Sequence, residues 1–257
     1  MQKIIYIYRI AVKLFSFAFF GLCSLGLALG LFPIMHVLAG FSEKKFKAIA
    51  RRFNHWYFKV FVNVMKTIRC ISVNVENKEQ LSNIKSKVVI ANHPSLLDVV
   101  ILFSLIPNAD CIVKGSLIEN KFISLIVRNL YIPNTIPFDE QMERARQSME
   151  EGNNLIIFPE GTRSRPGQPW EFKKGAARFA LFSENDVVPI FFGGNEKIGL
   201  RKCDKLLQYH PTERYQYNLK VLPQISVAPY KGVPMAKSAI KLTEKMKMAL
   251  EQELSNV

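Results

Sequence analysis

Cysteine is scarce in this sequence, and several common motifs are missing. The four cysteines in 257 residues lie far apart, with no CxxC pair and no Cys/His spacing typical of a zinc site. We therefore expect neither a disulfide framework nor a metal site, and the cysteine content fits a reducing compartment. No HExxH, P-loop or GxGxxG pattern occurs, which removes the usual sequence support for a catalytic metal or a bound nucleotide.

Acidic residues are also in short supply, with 21 Asp and Glu against 35 Lys and Arg, so the formal net charge is +14. This excess favours an anionic partner: a lipid headgroup, a phosphorylated substrate, an acidic carrier or nucleic acid. Nucleic acid has only the charge in its favour, because aromatic residues cluster with apolar neighbours near the N-terminus rather than on a strand platform. No nucleic-acid partner is therefore expected.

Charge is absent altogether from Leu14 to Met35, a run long enough to cross the hydrocarbon core of a bilayer. Basic residues lie on both sides of it, and positive flanks favour the cytoplasmic side of a membrane. A re-entrant or shallow insertion resolves this conflict, while a spanning helix is the alternative. A cleaved signal peptide fits poorly, because the run is too long and no small-x-small site follows it.

A second helix is predicted after Ser42, a plausible N-cap, with Pro33 and Gly40 at the end of the first helix. Apolar and aromatic residues recur at helical spacing from Phe46 to Ile68, and basic residues lie between them. Such a helix lies in the headgroup layer or packs its apolar face on the rest of the protein. Residues 1–70 are thus predicted to form a two-helix unit that binds membrane lipids.

Residues 71–257 alternate between short β-branched runs and helical patterns, which is the rhythm of an α/β domain. The expected fold is a mixed central sheet flanked by helices. Strands are predicted at Ile71–Val75, Val88–Ala91, Cys111–Val113, Leu155–Phe158, Val187–Phe191 and Tyr215–Val221. Helices are predicted at Pro94–Leu105, Leu117–Leu130, Asp139–Glu151, Gly175–Phe182 and Ala236–Leu254. The basic stretch Asn195–His210 fits neither pattern.

The segment Asn92-His93-Pro94-Ser95-Leu96-Leu97-Asp98 follows a buried strand and brings a base and a carboxylate together. Pro94 suits the first position of a helix, so His93 outside that helix is able to fold back toward Asp98. A carboxylate on one imidazole nitrogen fixes the tautomer and leaves the other nitrogen as a base. The structural alternative is that Asn92 and Ser95 cap the helix and that Asp98 neutralises a lysine. Without a GxSxG elbow, Ser95 is not expected to be a nucleophile.

The segment Phe158-Pro159-Glu160-Gly161-Thr162-Arg163-Ser164 follows another strand, at the end where α/β sheets bind ligands. Arg163 suits a bidentate contact to phosphate, Glu160 suits an acceptor hydroxyl, and Gly161 permits a close backbone approach. The alternative is a tight Pro-Glu-Gly turn with a solvated arginine.

These two segments, followed by Lys174-Gly175 and Val188-Pro189-Ile190, resemble motifs I, III and IV of the glycerolipid acyltransferases of the 1-acylglycerol-3-phosphate acyltransferase type. The resemblance runs from about Val88 to Ile190. The N-terminal helix pair is similar to the membrane-binding two-helix element of bacterial members.

The resemblance implies a role for each matching residue. His93 matches the catalytic base and Asp98 its charge-relay partner, while Glu160 and Arg163 match positions that bind the acceptor, with Gly161 and Thr162 in the same loop. The family further implies an acyl-CoA or acyl-carrier-protein donor, a lysophospholipid acceptor, no cofactor and no metal. The expected location is the cytoplasmic membrane, with the catalytic domain on the cytoplasmic side.

One position departs from the family pattern. Where the second motif commonly supplies an arginine for the acceptor phosphate, this chain has Asn134. Lys114 and Lys174 are then candidates, with Arg163, to bind the phosphate. The expected reaction is conversion of 1-acyl-glycerol-3-phosphate to phosphatidic acid. The alternatives are the same chemistry on an aminolipid or polyene lipid, and a catalytically silent lipid-binding protein.

Overall fold

The chain begins with a helical unit and continues as an alternation of helices and strands. The computed structural model describes residues 2–119, 124, 127 and 130–254. A π-helical turn, Leu27–Leu31, joins the first two helices. In the described part of the chain, the helices are α1 (Gln2–Gly26), α2 (Phe32–Leu38), α3 (Glu43–Thr67), α4 (Asp98–Leu105), α5 (Phe138–Glu150), α6 (Gly175–Phe182) and α7 (Met235–Leu254).

Among the described residues, the sheet has seven strands in the order β1-β7-β6-β2-β5-β3-β4. Neighbouring strands run parallel except β6 and β7, which are antiparallel, so the predicted mixed sheet is confirmed. The strands are β1 (Ile71–Glu76), β2 (Val88–Ala91), β3 (Ala109–Val113), β4 (Ile132–Pro133), β5 (Asn154–Ile157), β6 (Val187–Gly193) and β7 (Tyr215–Val221).

The central strands are apolar throughout because helices cover both faces of the sheet. In β2, Val89 and Ala91 pack into one core with residues of α3 and α4, whereas Val88 and Ile90 pack into a second core with residues of α5, α6 and α7. A buried ion pair fixes α3 to the start of β3, since the guanidinium of Arg51 donates to both carboxylate oxygens of Asp110 at 2.7 and 2.9 Å.

The helices α1 and α3 lie antiparallel along one side of the domain. Phe20 of α1 packs on Phe58 of α3, and further toward the N-terminus the hydroxyl of Tyr8 reaches the carbonyl of Ile68. Apolar side chains seven residues apart are exposed at Phe15 and Leu22 of α1 and at Leu29 of the π-helical turn. In the described chain, Gln2–Leu38 is the helical segment that is long and apolar enough to cross a membrane.

The predicted end of the first helix was half right. Gly40 follows α2 with φ near +60°, and Ser42 caps α3 by accepting from the backbone N–H of Lys45 at 3.5 Å. Pro33 was placed wrongly, because helix continues to Leu38. The π-helical turn before it accounts for this, since a wider turn accommodates a residue that lacks an N–H donor.

The helix predicted at Pro94–Leu105 was also wrong at its start. Residues 94–97 form a turn, and α4 begins at Asp98. The other predicted strands and helices are confirmed to within two residues, apart from Leu117–Leu130, most of which lies outside the described residues. Gly115–Glu119 forms a short 3-10 helix there. The two-residue strand β4 was not predicted, because so short a strand has no period of its own.

Candidate active site

The predicted site residues follow four strands that are neighbours in the sheet. His93 follows β2, Glu160 follows β5, Lys114 follows β3 and Asn134 follows β4. Since β2, β5, β3 and β4 are consecutive and parallel, these residues share the carboxyl edge of the sheet, where α/β folds bind ligands.

The imidazole of His93 forms a pair with the carboxylate of Asp98. The distance from His93 Nδ1 to Asp98 Oδ2 is 2.8 Å, and the ring stacks on Phe158 with 4.0 Å between ring centroids. Asp98 is fully buried in the first turn of α4, where the helix dipole favours a negative charge. Because Nδ1 holds the proton that faces the carboxylate, Nε2 carries the lone pair of a base.

The turn from Asn92 to Leu97 is rigidly held. Asn92 exchanges two hydrogen bonds with the backbone of Phe192 in β6, at 2.7 and 2.9 Å, so it does not cap a helix. The backbone N–H of Ser95 donates to Asp98 Oδ2 at 2.7 Å, and the Ser95 hydroxyl donates to Asp98 Oδ1. No lysine forms an ion pair with Asp98 among the described residues. The structural alternative therefore fails in detail, while the pairing of His93 with Asp98 is present.

Glu160 lies directly against the turn from Asn92 to Leu97. Its Oε1 accepts from the backbone N–H of His93 at 2.9 Å and from the hydroxyl of Ser164 at 2.8 Å. Burial raises the pKa of this carboxyl above its ordinary value, and the charge of Asp98 adds to the effect, whereas the two hydrogen bonds oppose it. The arrangement joins the loop after β5 to the turn after β2.

Gly161 adopts a conformation that favours glycine. Its φ is +66°, and a Cβ atom there would lie 3.1 Å from Nζ of Lys173. Glycine thus lets the loop after Glu160 turn beneath a lysine side chain.

Arg163 is not simply solvated. Its Nη1 donates to the carbonyl oxygens of Leu200 at 2.8 Å and Arg201 at 3.1 Å. The same Leu200 carbonyl accepts from the backbone N–H of Leu96, in the turn from Asn92 to Leu97, at 3.1 Å. One nitrogen of the guanidinium is committed to the protein, so a bidentate contact to a ligand has to use Nε and Nη2.

A cationic groove of about 620 Å³ opens beside Glu160 and Arg163. Thr162 also lines it, and its four basic side chains outnumber its two carboxylates, Glu160 and Glu171. Those basic side chains are Arg163, Arg165, Lys173 and Lys202.

Lys173 and Lys202 line the cationic groove but were not predicted from the sequence. The lysines that were predicted, Lys114 and Lys174, lie elsewhere. Lys174 is exposed at the start of α6 and Lys114 is exposed after β3, and neither lines the cationic groove. The sequence signal for Lys202 was the basic stretch Asn195–His210, which fitted no element. For Lys173 the only signal was its position beside Lys174, because the path of the loop decides which of the two faces inward.

Asn134 has a structural contact that an arginine would not reproduce. Its Oδ1 accepts from the backbone N–H of Gly115 at 2.9 Å, and its own backbone N–H donates to the carbonyl of Val113 at 2.8 Å. Asn134 therefore ties the end of β4 to the end of β3, and it too lies outside the lining of the cationic groove.

An apolar cavity of about 220 Å³ adjoins the turn from Asn92 to Leu97. Its lining is almost wholly hydrophobic and comes mainly from α1, α3, α4 and that turn, where Leu96 and Leu97 directly precede Asp98. The His93–Asp98 pair is thus linked to the cationic groove through Glu160, and it is next in the chain to residues that line the apolar cavity. In the described part of the chain, no three His, Cys, Asp or Glu side chains converge as metal ligands would.

Comparison with known proteins identifies related sequences and a related fold. The sequence model of the family described as Acyltransferase matches residues 72–193. A probable 1-acyl-sn-glycerol-3-phosphate acyltransferase of Mycoplasma pneumoniae is 28% identical over 233 residues, which cover 84% of this chain and 85% of that protein. A putative enzyme of the same description from Caenorhabditis elegans is 38% identical over 116 residues, but these cover 41% of this chain and 40% of that protein.

Among solved structures, the 1-acyl-sn-glycerophosphate acyltransferase PlsC of Thermotoga maritima superposes with a TM-score of 0.67. The superposition covers 98% of both chains at 18% sequence identity, so it shows a shared fold. The motifs, the family match and the fold agree: residues 72–193 match the Acyltransferase family, and the chain is an acyltransferase similar to 1-acyl-sn-glycerol-3-phosphate acyltransferases.

Proposed function

We propose that this protein is a membrane-bound O-acyltransferase that moves a fatty acyl group from an acyl thioester to a lysophospholipid hydroxyl. The donor is acyl-CoA or an acyl-carrier protein, and the acceptor is 1-acyl-glycerol-3-phosphate, which becomes phosphatidic acid. The observation that carries the proposal is the 2.8 Å contact of His93 Nδ1 with Asp98, beside Glu160 of the cationic groove and next in the chain to Leu96 and Leu97 of the apolar cavity.

In this proposal His93 acts as a general base. Nε2 removes the proton of the acceptor hydroxyl as its oxygen attacks the thioester carbonyl, and Asp98 stabilises the imidazolium that forms. Collapse of the tetrahedral intermediate breaks the carbon–sulfur bond, and the imidazolium returns its proton to the thiolate. No acyl-enzyme forms, so the protein needs no nucleophilic side chain.

The two cavities supply contacts for the two ends of the substrates. Four cations line the groove beside Glu160, which favours a phosphorylated headgroup, and Nε and Nη2 of Arg163 suit a bidentate contact with it. The apolar cavity takes part of an acyl chain, because burying each methylene contributes about 0.8 kcal/mol.

A second acceptor class follows from Asn134. An uncharged residue at this position, engaged with the backbone of Gly115, favours an acceptor without a phosphate, such as an aminolipid or polyene lipid. The four cations of the groove favour the phosphorylated acceptor instead, so the lysophosphatidic acid reaction remains the leading proposal. A silent lipid-binding protein has no use for the paired His93 and Asp98.

An acceptor screen with purified protein and a labelled acyl thioester tests the function. We expect kcat/KM for lysophosphatidic acid to exceed that for an uncharged lipid alcohol, and His93→Ala to be inactive while folded. Arg163→Ala should raise KM for the phosphorylated acceptor by about 10- to 100-fold, the loss of a charged hydrogen bond. Lys174→Ala, a neighbouring exposed lysine outside the groove, is the control.

Each outcome of the screen separates two parts of the proposal. A wild-type preference for the uncharged acceptor, with His93→Ala inactive, overturns the acceptor and keeps the chemistry. Turnover by His93→Ala near that of wild type overturns the general-base mechanism.

We further propose that α1 and α2 lie in one leaflet, on the cytoplasmic side, rather than spanning the bilayer. One face of α1 packs on α3, and Lys13 Nζ donates to the carbonyl of Gln208 in the catalytic domain. A helix held to the domain at its middle and in its C-terminal half suits shallow insertion, which high salt does not reverse. Engineered cysteines at Gln2 and Gln80 should label from the same side, whereas labelling from opposite sides would establish a span.

A further inference from the structure

A tyrosine of the last strand forms a hydrogen bond with the turn from Asn92 to Leu97. Tyr217 of β7 follows Ser95 by 122 residues, yet its hydroxyl oxygen lies 2.8 Å from Ser95 Oγ. Ser95 Oγ in turn contacts Asp98 Oδ1, so three side chains form a continuous chain that ends on the partner of His93. All three of these side chains are fully buried.

The direction of the hydrogen bonds that join Tyr217, Ser95 and Asp98 follows from the number of protons available. A carboxylate only accepts, so the single hydroxyl proton of Ser95 points to Asp98. Ser95 Oγ is then an acceptor for its other partners, and the proton between it and Tyr217 belongs to the tyrosine. Burial, with the charge of Asp98 as a further cause, holds the pKa of Tyr217 well above its ordinary value, so its hydroxyl stays a donor.

A buried lysine packs against the ring of the same tyrosine. Lys197 is 3% exposed, and its Nζ lies 4.7 Å from the ring centroid of Tyr217. The ammonium donates to the carbonyl of Asn195 and forms no ion pair within the described residues. Burial lowers the pKa of Lys197 to about 8, although the charge of Asp98 opposes that shift. A cation over the ring face makes a phenol a stronger hydrogen-bond donor, because it withdraws electron density from the ring.

We propose that Tyr217, with Lys197 against its ring, is a positioning residue for the catalytic pair. Tyr217 donates to Ser95, which commits the Ser95 proton to Asp98 and fixes the carboxylate that orients His93. Tyr217 touches no substrate, because it lines neither the cationic groove nor the apolar cavity. The role therefore differs from that of the binding residues and rests on the proposed chemistry of His93.

Loss of the Tyr217 hydroxyl or of the Lys197 charge should move the pH dependence of catalysis in one direction. Hydrogen bonds donated to Asp98 withdraw negative charge from the carboxylate, and Lys197 adds a nearby positive charge, so both disfavour protonation of the imidazole. Without them His93 binds its proton more tightly, and the acid limb of the kcat/KM profile moves to higher pH. The titratable groups that face these residues are Asp98 from α4, Glu160 from the loop after β5, Tyr215 from β7 and Cys70 from the turn after α3.

Tyr217→Phe is the direct test, because it removes the hydroxyl and keeps the ring against Lys197. We expect kcat to fall about 3- to 10-fold with both KM values unchanged, and the acid limb to move up by about 0.5–1 pH unit. Tyr209→Phe is the matched control. Tyr209 is 2% exposed and its hydroxyl donates to the carbonyl of Cys70 at 3.2 Å, so its loss is structural and should leave the pH profile in place.

Lys197→Met is a second variant, which tests the proposal even if Tyr217→Phe does not fold. It removes a buried cation that lacks a carboxylate partner and keeps the side-chain length, so folding is retained while the acid limb moves to higher pH. A pH profile in Lys197→Met that coincides with wild type overturns the proposal. So does a folded Tyr217→Phe with unchanged kcat, or one whose kcat falls without any movement of the limb.

His93→Ala, measured in the same assay, separates this inference from the proposed function. If His93→Ala is active, the general-base function itself fails. If His93→Ala is inactive and Tyr217→Phe behaves as wild type, only the role of Tyr217 fails.

Discussion

Replacing Asp98 with asparagine removes one charge from the catalytic pair and keeps the shape of the side chain. The carboxylate accepts three hydrogen bonds: Oδ2 accepts from His93 Nδ1 and from the Ser95 backbone N–H, and Oδ1 accepts from the Ser95 hydroxyl. An amide has a single acceptor oxygen. If its NH₂ group takes the Oδ2 position it faces two N–H donors, so we expect it at the Oδ1 position.

In that orientation the amide faces Ser95 Oγ, toward which the hydroxyl of Tyr217 and the N–H of Leu97 already point. His93 keeps a hydrogen bond to a neutral oxygen but loses the anion that stabilises its protonated form. Since positioned general-base catalysis contributes about 10²–10⁴-fold, Asp98→Asn should lower kcat by that factor, or by about 3–5 kcal/mol in barrier height.

The assay is steady-state turnover of a labelled acyl thioester and lysophosphatidic acid, with folding checked by thermal melting. Asp186→Asn is the control, because Asp186 also accepts from three donors, the side chains of Lys87 and Gln224 and the backbone of Val227, away from the catalytic turn. A folded Asp98→Asn enzyme with kcat within about threefold of wild type would refute the assigned role of the charge.

Two further substitutions test stability. Glu160→Gln should raise the melting temperature at neutral pH and lower activity. Folding raises the pKa of Glu160, so this carboxyl stabilises the folded state at pH values below its unfolded-state pKa. That stabilisation is lost as the pH rises through the folded-state pKa. The gain should vanish at about pH 3, where glutamate is protonated in both states, and a gain that persists there would contradict the reasoning. Asp110→Asn should cost about 3–5 kcal/mol in the free energy of unfolding, because the guanidinium of Arg51 stays buried without its anion. Urea denaturation measures that cost, a loss below about 1 kcal/mol would speak against it, and turnover per folded molecule should not change.

Local sequence signals were enough to predict the pairing of His93 with Asp98 and most of the fold. His93 and Asp98 are five residues apart, and the neighbouring strands are continuous apolar runs, which are not typical of loops. The start of α4 was misplaced because Pro94 is an equally good first residue for a turn. What decides between the two is the buried Asp98, whose carboxylate collects the donors of Ser95 before the helix begins.

The rest of the site depends on contacts between distant parts of the chain. Arg163 is anchored by the carbonyls of Leu200 and Arg201, and Lys202 joins the groove from the same stretch, which has neither helical nor strand period. Tyr217 occupies an ordinary inward position of a strand, so nothing in its neighbours distinguishes it from Tyr215. Its partner becomes apparent only when β7 takes its place in the sheet.

The position of β7 has a consequence for the order in which the protein assembles. β1 is an edge strand that pairs with β7 within the described chain, and β7 lies between β1 and β6. During synthesis β1, which follows the N-terminal helices, therefore has no strand partner until residues 215–221 emerge, and closing so long a loop makes this step slow. The motif residues are synthesised early, but Ser95 gains its donor from Tyr217 last. Chains truncated before β7 would carry His93 and Asp98 in an incompletely supported turn, so the complete geometry of this pair requires residues 215–221.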